Sequence, residues 1–267
     1  MKLIVLGSNG YRPTDLGQTA CCAIPELGFI LDAGTGIYRM VDYFQSNQLL
    51  HIYLTHAHSD HYGGLVYLEF VFWKKLALDV IDRGTMLKMG SIFKALEETQ
   101  PKARVYVAPE VLDGIPSYFR HFRDNRYFEF LPLKTIEELS GGARLMSFPV
   151  DSTVTCFGFR LDKPGGSLAY VTDTYGEPDA SYLEEIRGVD VLLHECYWPD
   201  DELELARASC HSHITPVAQM AAEAQVGRLV LIHLNPLRPE WGEPELELAD
   251  SIFPRTEVAF DRMEIEF

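Results

Sequence analysis

The segment LTHAHSDHYGGL, residues 54–65, holds three histidines and one aspartate within six positions. They are His56, His58, Asp60 and His61, and they follow the apolar run 51–54, which predicts a β-strand. Three of the nine histidines of this 267-residue chain therefore lie on one loop. Imidazole and carboxylate groups are ligands suited to zinc, manganese or iron. The pattern predicts a metal site on a loop at the end of a strand.

The spacing of these side chains also indicates how many ions they hold. Side chains alternate along an extended chain, so His56 and His58 point the same way, while Asp60 and His61 face a second site as the chain turns. Two ions about 3.5–4 Å apart produce a hydroxide near neutral pH and polarise the group it attacks. The segment predicts one or two divalent ions, zinc first, with manganese and iron as alternatives.

The composition limits the partners of this chain. Apolar residues make up 47% of it, enough for a sizeable core, and the net charge is -16 from 23 Lys+Arg against 39 Asp+Glu. That charge repels polyanions, so it disfavours nucleic acid and anionic membranes unless a local positive site, such as metal ions, receives them. No apolar run approaches the roughly 18 residues of a membrane span, and the apolar stretch within the start MKLIVLGSNG is shorter than we expect for a signal peptide. We expect a cytoplasmic protein.

The cysteines predict neither disulfides nor a zinc–thiolate site. Their number is odd and no C-x-x-C spacing occurs. We expect reduced and mostly buried thiols. The five are Cys21, Cys22, Cys156, Cys196 and Cys210.

Strand patterns occur in both halves of the chain, with helical patterns between them. No linker or low-complexity tract divides the chain, so we predict one domain, 1–267, with two sheets and helices on their outer faces. The stretch 119–130, FRHFRDNRYFEF, predicts a strand or hairpin with a salt-bridged face, with a substrate-facing patch as the alternative. The predicted strands are 2–7, 20–25, 28–32, 51–54, 104–107, 143–148, 156–161, 167–172, 189–194 and 228–232, and the predicted helices lie near 37–45, 62–100, 179–187 and 215–225.

Six segments together resemble the metallo-β-lactamase superfamily, and within it the ribonuclease Z-like and phosphodiesterase-like branch. The resemblance implies a four-layer αββα sandwich with a metal site at one edge, where the two sheets meet. It also implies a hydrolase that uses a metal-bound hydroxide, in first place on a small or cyclic phosphodiester. The segments are LIVLGSNGYRP (3–13), GFILDAGTGIYRM (28–40), LTHAHSDHYGGL (54–65), AYVTDTYG (169–176), DVLLHECYW (190–198) and HSHITPVAQMAAEAQVGRLVLIHLNP (211–236), and Asp261 follows them.

The resemblance also implies the ligands of each ion. The first ion is held by His56 and His58, the second by Asp60, His61 and His233, and Asp173 bridges both. Asp173 as a turn cap and His233 as a structural histidine are the alternatives for those two positions.

Glu195 matches the position that pairs with a histidine to manage the leaving-group proton in ribonuclease Z-like proteins. Ungapped spacing to Arg228 favours His211 as that histidine, whereas the helix-start pattern His-x-Thr-Pro favours His213. Both stay open, as does a helix-capping role for the cluster. The predicted catalytic residues are therefore Asp60, Glu195 and one of His211 and His213.

Two features depart from the family pattern. Ser152 stands where the family supplies a third histidine to the first ion, which leaves that site weak, empty, or completed by Asp151 or water. The connection 162–166 is a short turn where tRNA-processing members often carry a long basic arm, although an arm from a homodimer partner stays open. The alternatives to a phosphodiesterase are a ribonuclease Z-type tRNA 3′-endonuclease, a lactone or thioester hydrolase, and a metal-binding relative without activity.

Overall fold

Two seven-stranded sheets form the centre of this computed structural model, which describes residues 1–44, 48–72, 102–115, 127–238 and 243–267. The first seven strands are β1 Lys2–Gly7, β2 Cys21–Ile24, β3 Phe29–Leu31, β4 Leu50–Tyr53, β5 Ala103–Val107, β6 Phe128–Pro132 and β7 Ile136–Glu138. The others are β8 Arg144–Pro149, β9 Phe157–Lys163, β10 Gly166–Val171, β11 Val191–Glu195, β12 Arg228–Ile232, β13 Thr256–Val258 and β14 Glu264–Glu266.

Each sheet combines an antiparallel half with a parallel half. The first has the order β14-β1-β2-β3-β4-β5-β6 and is parallel from β3 to β6. The second has the order β13-β12-β11-β10-β9-β8-β7 and is parallel from β10 to β13. Parallel strands direct their carboxyl ends to one edge of a sheet, which is where open α/β sheets place their sites.

Helices lie along the chain between the strands. A further helical stretch covers 65–72. The α-helices with defined bounds are Ser59–Tyr62, Pro109–Gly114, Leu183–Ile186, Leu203–Ser209, Ile214–Glu223 and Glu243–Ile252, and the 3₁₀ segments are Pro25–Leu27, Thr35–Asp42, Ser140–Gly142 and Asp200–Glu202.

The strand β1 shows why the sheets stack in layers. Alternation sends Leu3 and Val5 into a central core that they share with residues of the second sheet, such as Leu193. Ile4 and Leu6 face an outer core on the opposite side. A third core packs the other face of the second sheet against the helix Ile214–Glu223. Helices, two sheets and helices therefore follow one another, and the predicted αββα sandwich is confirmed.

All ten predicted strands are present, with ends shifted by at most two residues. The pattern at 37–45 forms the 3₁₀ helix Thr35–Asp42, and the helix predicted over 179–187 is the shorter Leu183–Ile186. Of the segment 119–130, only residues from 127 on lie within the described part of the chain, and β6 begins there at Phe128. Most of the helix predicted over 62–100 lies outside the described residues.

The five cysteines are free and four of them are buried, as predicted, while Cys210 is half-buried. None of the helices in the described ranges combines the length and the apolar character of a membrane span.

Candidate metal centre

The ends of four parallel strands converge on one edge of the sandwich. The loop after β4 carries His56, the loop after β10 carries Asp173, β11 ends at Glu195, and His233 follows β12. The strands β11 and β12 are buried on both faces, so their ends are held by the cores on either side. Residues distant in sequence meet here because parallel strands end together.

Asp173 lies at the middle of the converging side chains. Its Oδ1 is 3.4 Å from His56 Nε2 and 3.7 Å from His58 Nδ1. Its Oδ2 is 3.0 Å from His61 Nε2 and 3.2 Å from His233 Nε2. One carboxylate oxygen thus faces each histidine pair.

Asp60 completes the second cluster. Its Oδ2 lies 3.3 Å from His233 Nε2 and 3.4 Å from His61 Nε2. The structure therefore brings all six sequence-predicted ligands together. They form the groups His56–His58–Asp173 and Asp60–His61–His233, and within each group the possible ligand atoms lie within 4.8 Å of one another. These His/Asp clusters are arranged as a binuclear metal site requires.

The ring nitrogens of His56 and His61 that face the centre are their Nε2 atoms, because each Nδ1 is engaged elsewhere. The Thr55 hydroxyl donates to Asp32, so it accepts a hydrogen bond from His56 Nδ1–H, 2.9 Å away. His61 Nδ1–H donates to Asp32 Oδ2 at 2.8 Å. Both rings use Nδ1–H for these contacts and turn Nε2 towards the centre, where the buried His56 Nε2 has no hydrogen-bond partner in the described part of the chain. A divalent cation fits this donor set.

The charges of the centre also favour a cation. Burial acts to raise the pKa of Asp173, but His233, His61 and His56 outweigh it and hold that pKa well below its usual range. Burial likewise opposes the effect of the histidines on Asp60, whose pKa is also strongly lowered. The carboxylates of buried Asp173 and half-buried Asp60 stay ionised here, and charges withdrawn from water need cationic partners.

Asp32 was not predicted as a site residue, although its turn carries part of the family resemblance. It is fully buried, and besides His61 it accepts hydrogen bonds from Thr55 N at 2.9 Å and Tyr170 OH at 3.0 Å. A carboxylate behind a metal-binding imidazole sets the ring's tautomer and orientation. The signal in the sequence was an acidic residue directly after the apolar strand β3.

We expect Asp32→Asn to lower zinc affinity by about 10- to 100-fold, the usual cost of removing an outer partner of a ligand. Competition with a chromophoric chelator measures the dissociation constant, and a melting curve confirms the fold. Asp151→Asn is the matched control, because Asp151 is exposed and accepts a hydrogen bond from Ser181 Oγ at 3.2 Å. Unchanged zinc affinity in Asp32→Asn would show that the carboxylate does not orient His61.

The backbone around the centre adopts unusual conformations. Among the described residues, seven non-glycine residues have positive φ, and five of these lie at the site or next to it. Such positions cost about 1–3 kcal/mol each and cluster at functional sites. The five are Tyr11 (58°), Asp32 (56°), Asp173 (50°), Cys210 (57°) and His233 (58°).

The loop after β1 closes one side of the centre. Tyr11 N–H donates to Asp60 Oδ2 at 2.8 Å. Gly10 packs so tightly on His233 that a Cβ there would clash with the imidazole ring. Asp261 holds this loop by accepting hydrogen bonds from Ser8 N at 3.0 Å and from Gln18 N at 2.8 Å.

Glu195 pairs with His211. His211 Nδ1–H donates to Glu195 Oε1 at 2.9 Å, and the buried carboxylate also accepts from Thr174 N at 2.6 Å and Ser212 N at 3.2 Å. Burial lowers and Glu195 raises the pKa of His211, with a net rise to about 9. The imidazole is therefore protonated at neutral pH.

His213 occupies a different environment. Its Nδ1–H donates to Asp200 Oδ1 at 2.6 Å, and the same oxygen accepts from Thr215 N at 3.0 Å at the start of the helix Ile214–Glu223. Of the two histidines left open by the sequence, the structure places His211 against Glu195. His213, the alternative that the sequence left open, lies instead in the hydrogen-bond network at the start of the helix.

Neither Ser152 nor Asp151 joins a cluster of possible ligands in the described residues. Ser152 is half-buried, and Asp151 turns to Ser181. The first group therefore offers three side-chain ligands, and one of them, His58, is 45% exposed.

A cleft of 530 Å³ opens over the two clusters. Its lining combines site residues with aromatic and aliphatic side chains, and it includes no lysine or arginine among the described residues. The lining residues are Tyr11, His58, Ser59, Asp60, Asp173, Tyr197, Trp198, Ser209, His211, His233 and Leu237.

Comparison with known proteins gives matches in sequence and in fold. The sequence model of the Beta-lactamase superfamily domain matches residues 29–234. A ribonuclease Z of Synechococcus sp. (strain CC9605) is 40% identical over 121 residues, which are 44% of this chain and 36% of that protein. The chain thus spans about a third of the length of the first curated relatives that it matches. A ribonuclease Z of Methanosarcina acetivorans is 24% identical over 300 residues, covering 100% of this chain and 98% of the relative.

Among solved structures, the metallo-beta-lactamase fold protein YhfI of Bacillus subtilis superposes with a TM-score of 0.75 at 17% identity. The superposition covers 99% of each chain. This likeness concerns the fold.

Proposed function

This chain belongs to the metallo-β-lactamase superfamily, and from that premise we propose that it is a metal-dependent phosphodiesterase. The observation that carries the proposal is the pair Glu195–His211 beside two His/Asp clusters. Phosphodiester hydrolysis expels an alkoxide, which needs a proton donor, and a protonated imidazole next to the cluster meets that need.

The side chains divide into a holding set and a proton-transfer pair. Asp173 would hold both ions, with His56 and His58 on one side and Asp60, His61 and His233 on the other. When bound, two divalent ions supply a hydroxide near neutral pH and positive charge for the phosphate oxygens. Zinc is our first assignment because imidazole predominates in the donor set, with manganese and iron as alternatives.

His211 would protonate the leaving oxygen. Its Nδ1 is engaged by Glu195, so Nε2 is the nitrogen left to donate. His211 forms with Asp173 and His233 a group whose possible ligand atoms lie within 4.8 Å of one another. The Glu195 carboxylate fixes the ring and favours the return of a proton after transfer. Glu195 is itself oriented by Thr174 N and Ser212 N, so a fixed scaffold supports the donor.

A ribonuclease Z-type tRNA 3′-endonuclease is the second candidate, because the matching curated relatives carry that name. The net charge of -16 and a cleft lining without lysine or arginine, among the described residues, disfavour a polyanion. The connection after β9 is a tight turn with Gly165 at φ 83°, where a basic arm would be needed. An arm from a second copy of the chain stays a prediction.

A substrate panel separates the candidates. The reconstituted protein is assayed with zinc, manganese or iron on a small phosphodiester, a precursor tRNA, a lactone and a thioester. We expect turnover of the small phosphodiester to exceed the others. Preferential lactone or thioester hydrolysis would reject the proposal, and no hydrolysis despite bound metal would favour a non-enzymatic relative.

Ser152→His is expected to tighten the weaker metal-binding step by about tenfold or more, the scale on which even outer partners act. The reason is that a serine hydroxyl is a far poorer zinc ligand than imidazole. Calorimetric zinc titration should show two phases in the wild type, with only the weaker one changed in the variant. If the wild type already binds two equivalents tightly and the variant is identical, the first site is not impaired.

A further inference from the structure

The mouth of the cleft is built from aromatic and aliphatic side chains. Tyr11 is 63% exposed and Leu237 is 56% exposed, although both line the cleft. Trp198 is half-buried beside them. Exposed apolar groups around a polar centre are typical of a ligand site, where they contact the uncharged part of the ligand.

Aromatic rings continue from the metal centre to this mouth. The rings of His233 and His211 are stacked with centroids 5.5 Å apart, and His211 stacks on Tyr197 at 4.7 Å. Trp198 follows at 5.2 Å from Tyr197, at an interplanar angle of 76°. Trp198 therefore lies on the His211 side of the cleft, where the leaving group would be protonated.

Trp198 is held in a fixed orientation. Its Nε1–H donates to Ser209 Oγ at 2.8 Å, and Ser209 Oγ donates to Leu205 O at 2.7 Å, within the helix Leu203–Ser209. Its backbone N–H donates to Ser212 O at 3.1 Å. A ring fixed before binding loses little conformational entropy when a ligand stacks on it.

The charges limit what this surface accepts. The described lining of the cleft carries no lysine or arginine, so positive charge for a phosphate has to come from ions at the two clusters. One phosphate can be accommodated there, while additional phosphates at the mouth would meet an acidic protein. The group that enters the mouth is therefore not anionic, and aromatic walls favour a planar one.

We propose that Trp198, with Tyr11 and Leu237, binds the planar base of a nucleoside leaving group. The substrate is then a short phosphodiester of a nucleoside. This inference rests on the proposed phosphodiesterase function.

Binding of adenosine 5′-monophosphate and of ribose 5-phosphate to the zinc-loaded protein tests the surface without catalysis. Base–aromatic stacking contributes about 1–3 kcal/mol, so the base should improve affinity about 5- to 150-fold in calorimetry. Trp198→Ala should bring the two affinities within about twofold of each other, on the same stacking argument, and Trp198→Phe should keep most of the preference. Equal wild-type affinities, or an equal loss for both ligands in Trp198→Ala, would overturn the proposal.

Two further variants guard against misfolding and nonspecific effects. Leu237→Ser changes an exposed side chain on which the core does not depend, and it should lower affinity for the nucleotide but not for the sugar phosphate. Leu16→Ala is the matched control, since Leu16 is 81% exposed and outside the cleft lining. An unchanged nucleotide preference in both Leu237→Ser and Trp198→Ala would also overturn the proposal.

Kinetics separate this inference from the proposed function. A dinucleoside monophosphate and glycerophosphoethanolamine are compared as substrates of the wild type and of Trp198→Ala. We expect Trp198→Ala to lower kcat/KM about tenfold for the first and to leave the second unchanged, again from the stacking range. Hydrolysis of both, unaffected by Trp198→Ala, rejects the surface and keeps the phosphodiesterase. Base-dependent binding through Trp198 without hydrolysis of either keeps the surface and rejects the function.

Discussion

Asp173→Asn is expected to remove metal from both clusters and to abolish hydrolysis. Asp173 directs one carboxylate oxygen to each histidine pair, so its charge serves the whole centre. Asparagine keeps the shape and tolerates the left-handed backbone at φ 50°, which makes the lost charge the main change. Loss of a residue that only hydrogen-bonds to a metal ligand costs about 10- to 100-fold in metal affinity or activity. Loss of a ligand shared by both ions should lower metal affinity by more than about 100-fold.

Elemental analysis after reconstitution checks this expectation, together with initial rates on a phosphodiester. Asp151→Asn is the control, because that exposed carboxylate lies outside both clusters. Full metal occupancy in Asp173→Asn would mean that Asp173 only shapes its turn, which was its structural alternative.

His211→Ala should lower kcat by about 10²- to 10⁴-fold on a substrate with a poor leaving group, the usual contribution of general acid catalysis. The metal content should stay largely intact, because Glu195 engages His211 Nδ1 and the six predicted ligands form two clusters without His211, although His211 also groups with Asp173 and His233 as a possible ligand. The loss should shrink sharply with a p-nitrophenyl ester, since that leaving group departs without a proton. Comparing kcat for the two esters is the decisive measurement.

His213→Ala provides the matched control. Removing its hydrogen bond to Asp200 should cost about 0.5–1.5 kcal/mol of stability and leave kcat nearly unchanged. Equal losses for both esters in His211→Ala, or metal depletion, would make His211 a ligand or structural residue instead of a proton donor.

The local sequence pattern predicted the strands whose side chains are mostly apolar. Apolar strands such as 228–232 are recognisable because their side chains are buried on both faces. The strands β7, β13 and β14 were not predicted, since each has three residues and an exposed or polar composition. Their pairing is decided by neighbouring strands, which a single sequence does not show.

The site divides in the same way. The segment 56–61 is visible because its ligands lie within one turn of chain, whereas Asp173 and His233 could be assigned only through the family resemblance. The choice between His211 and His213 depended on backbone geometry: Cys210 at φ 57° ends a helix and redirects the chain so that His211 meets Glu195. Asp32 was missed because its role requires the fold to bring β3 and β4 side by side.

Zinc titration of the metal-free protein, with phosphodiester hydrolysis followed at each step, tests the central claim most directly. We predict that hydrolysis rises with bound zinc, levels off near two equivalents per chain as expected for a two-metal site, and disappears when a chelator is added. Binding of less than about half an equivalent of zinc per chain would contradict the account, because a metal site formed by these residues should bind at least one. So would a protein that binds two equivalents and hydrolyses no phosphodiester.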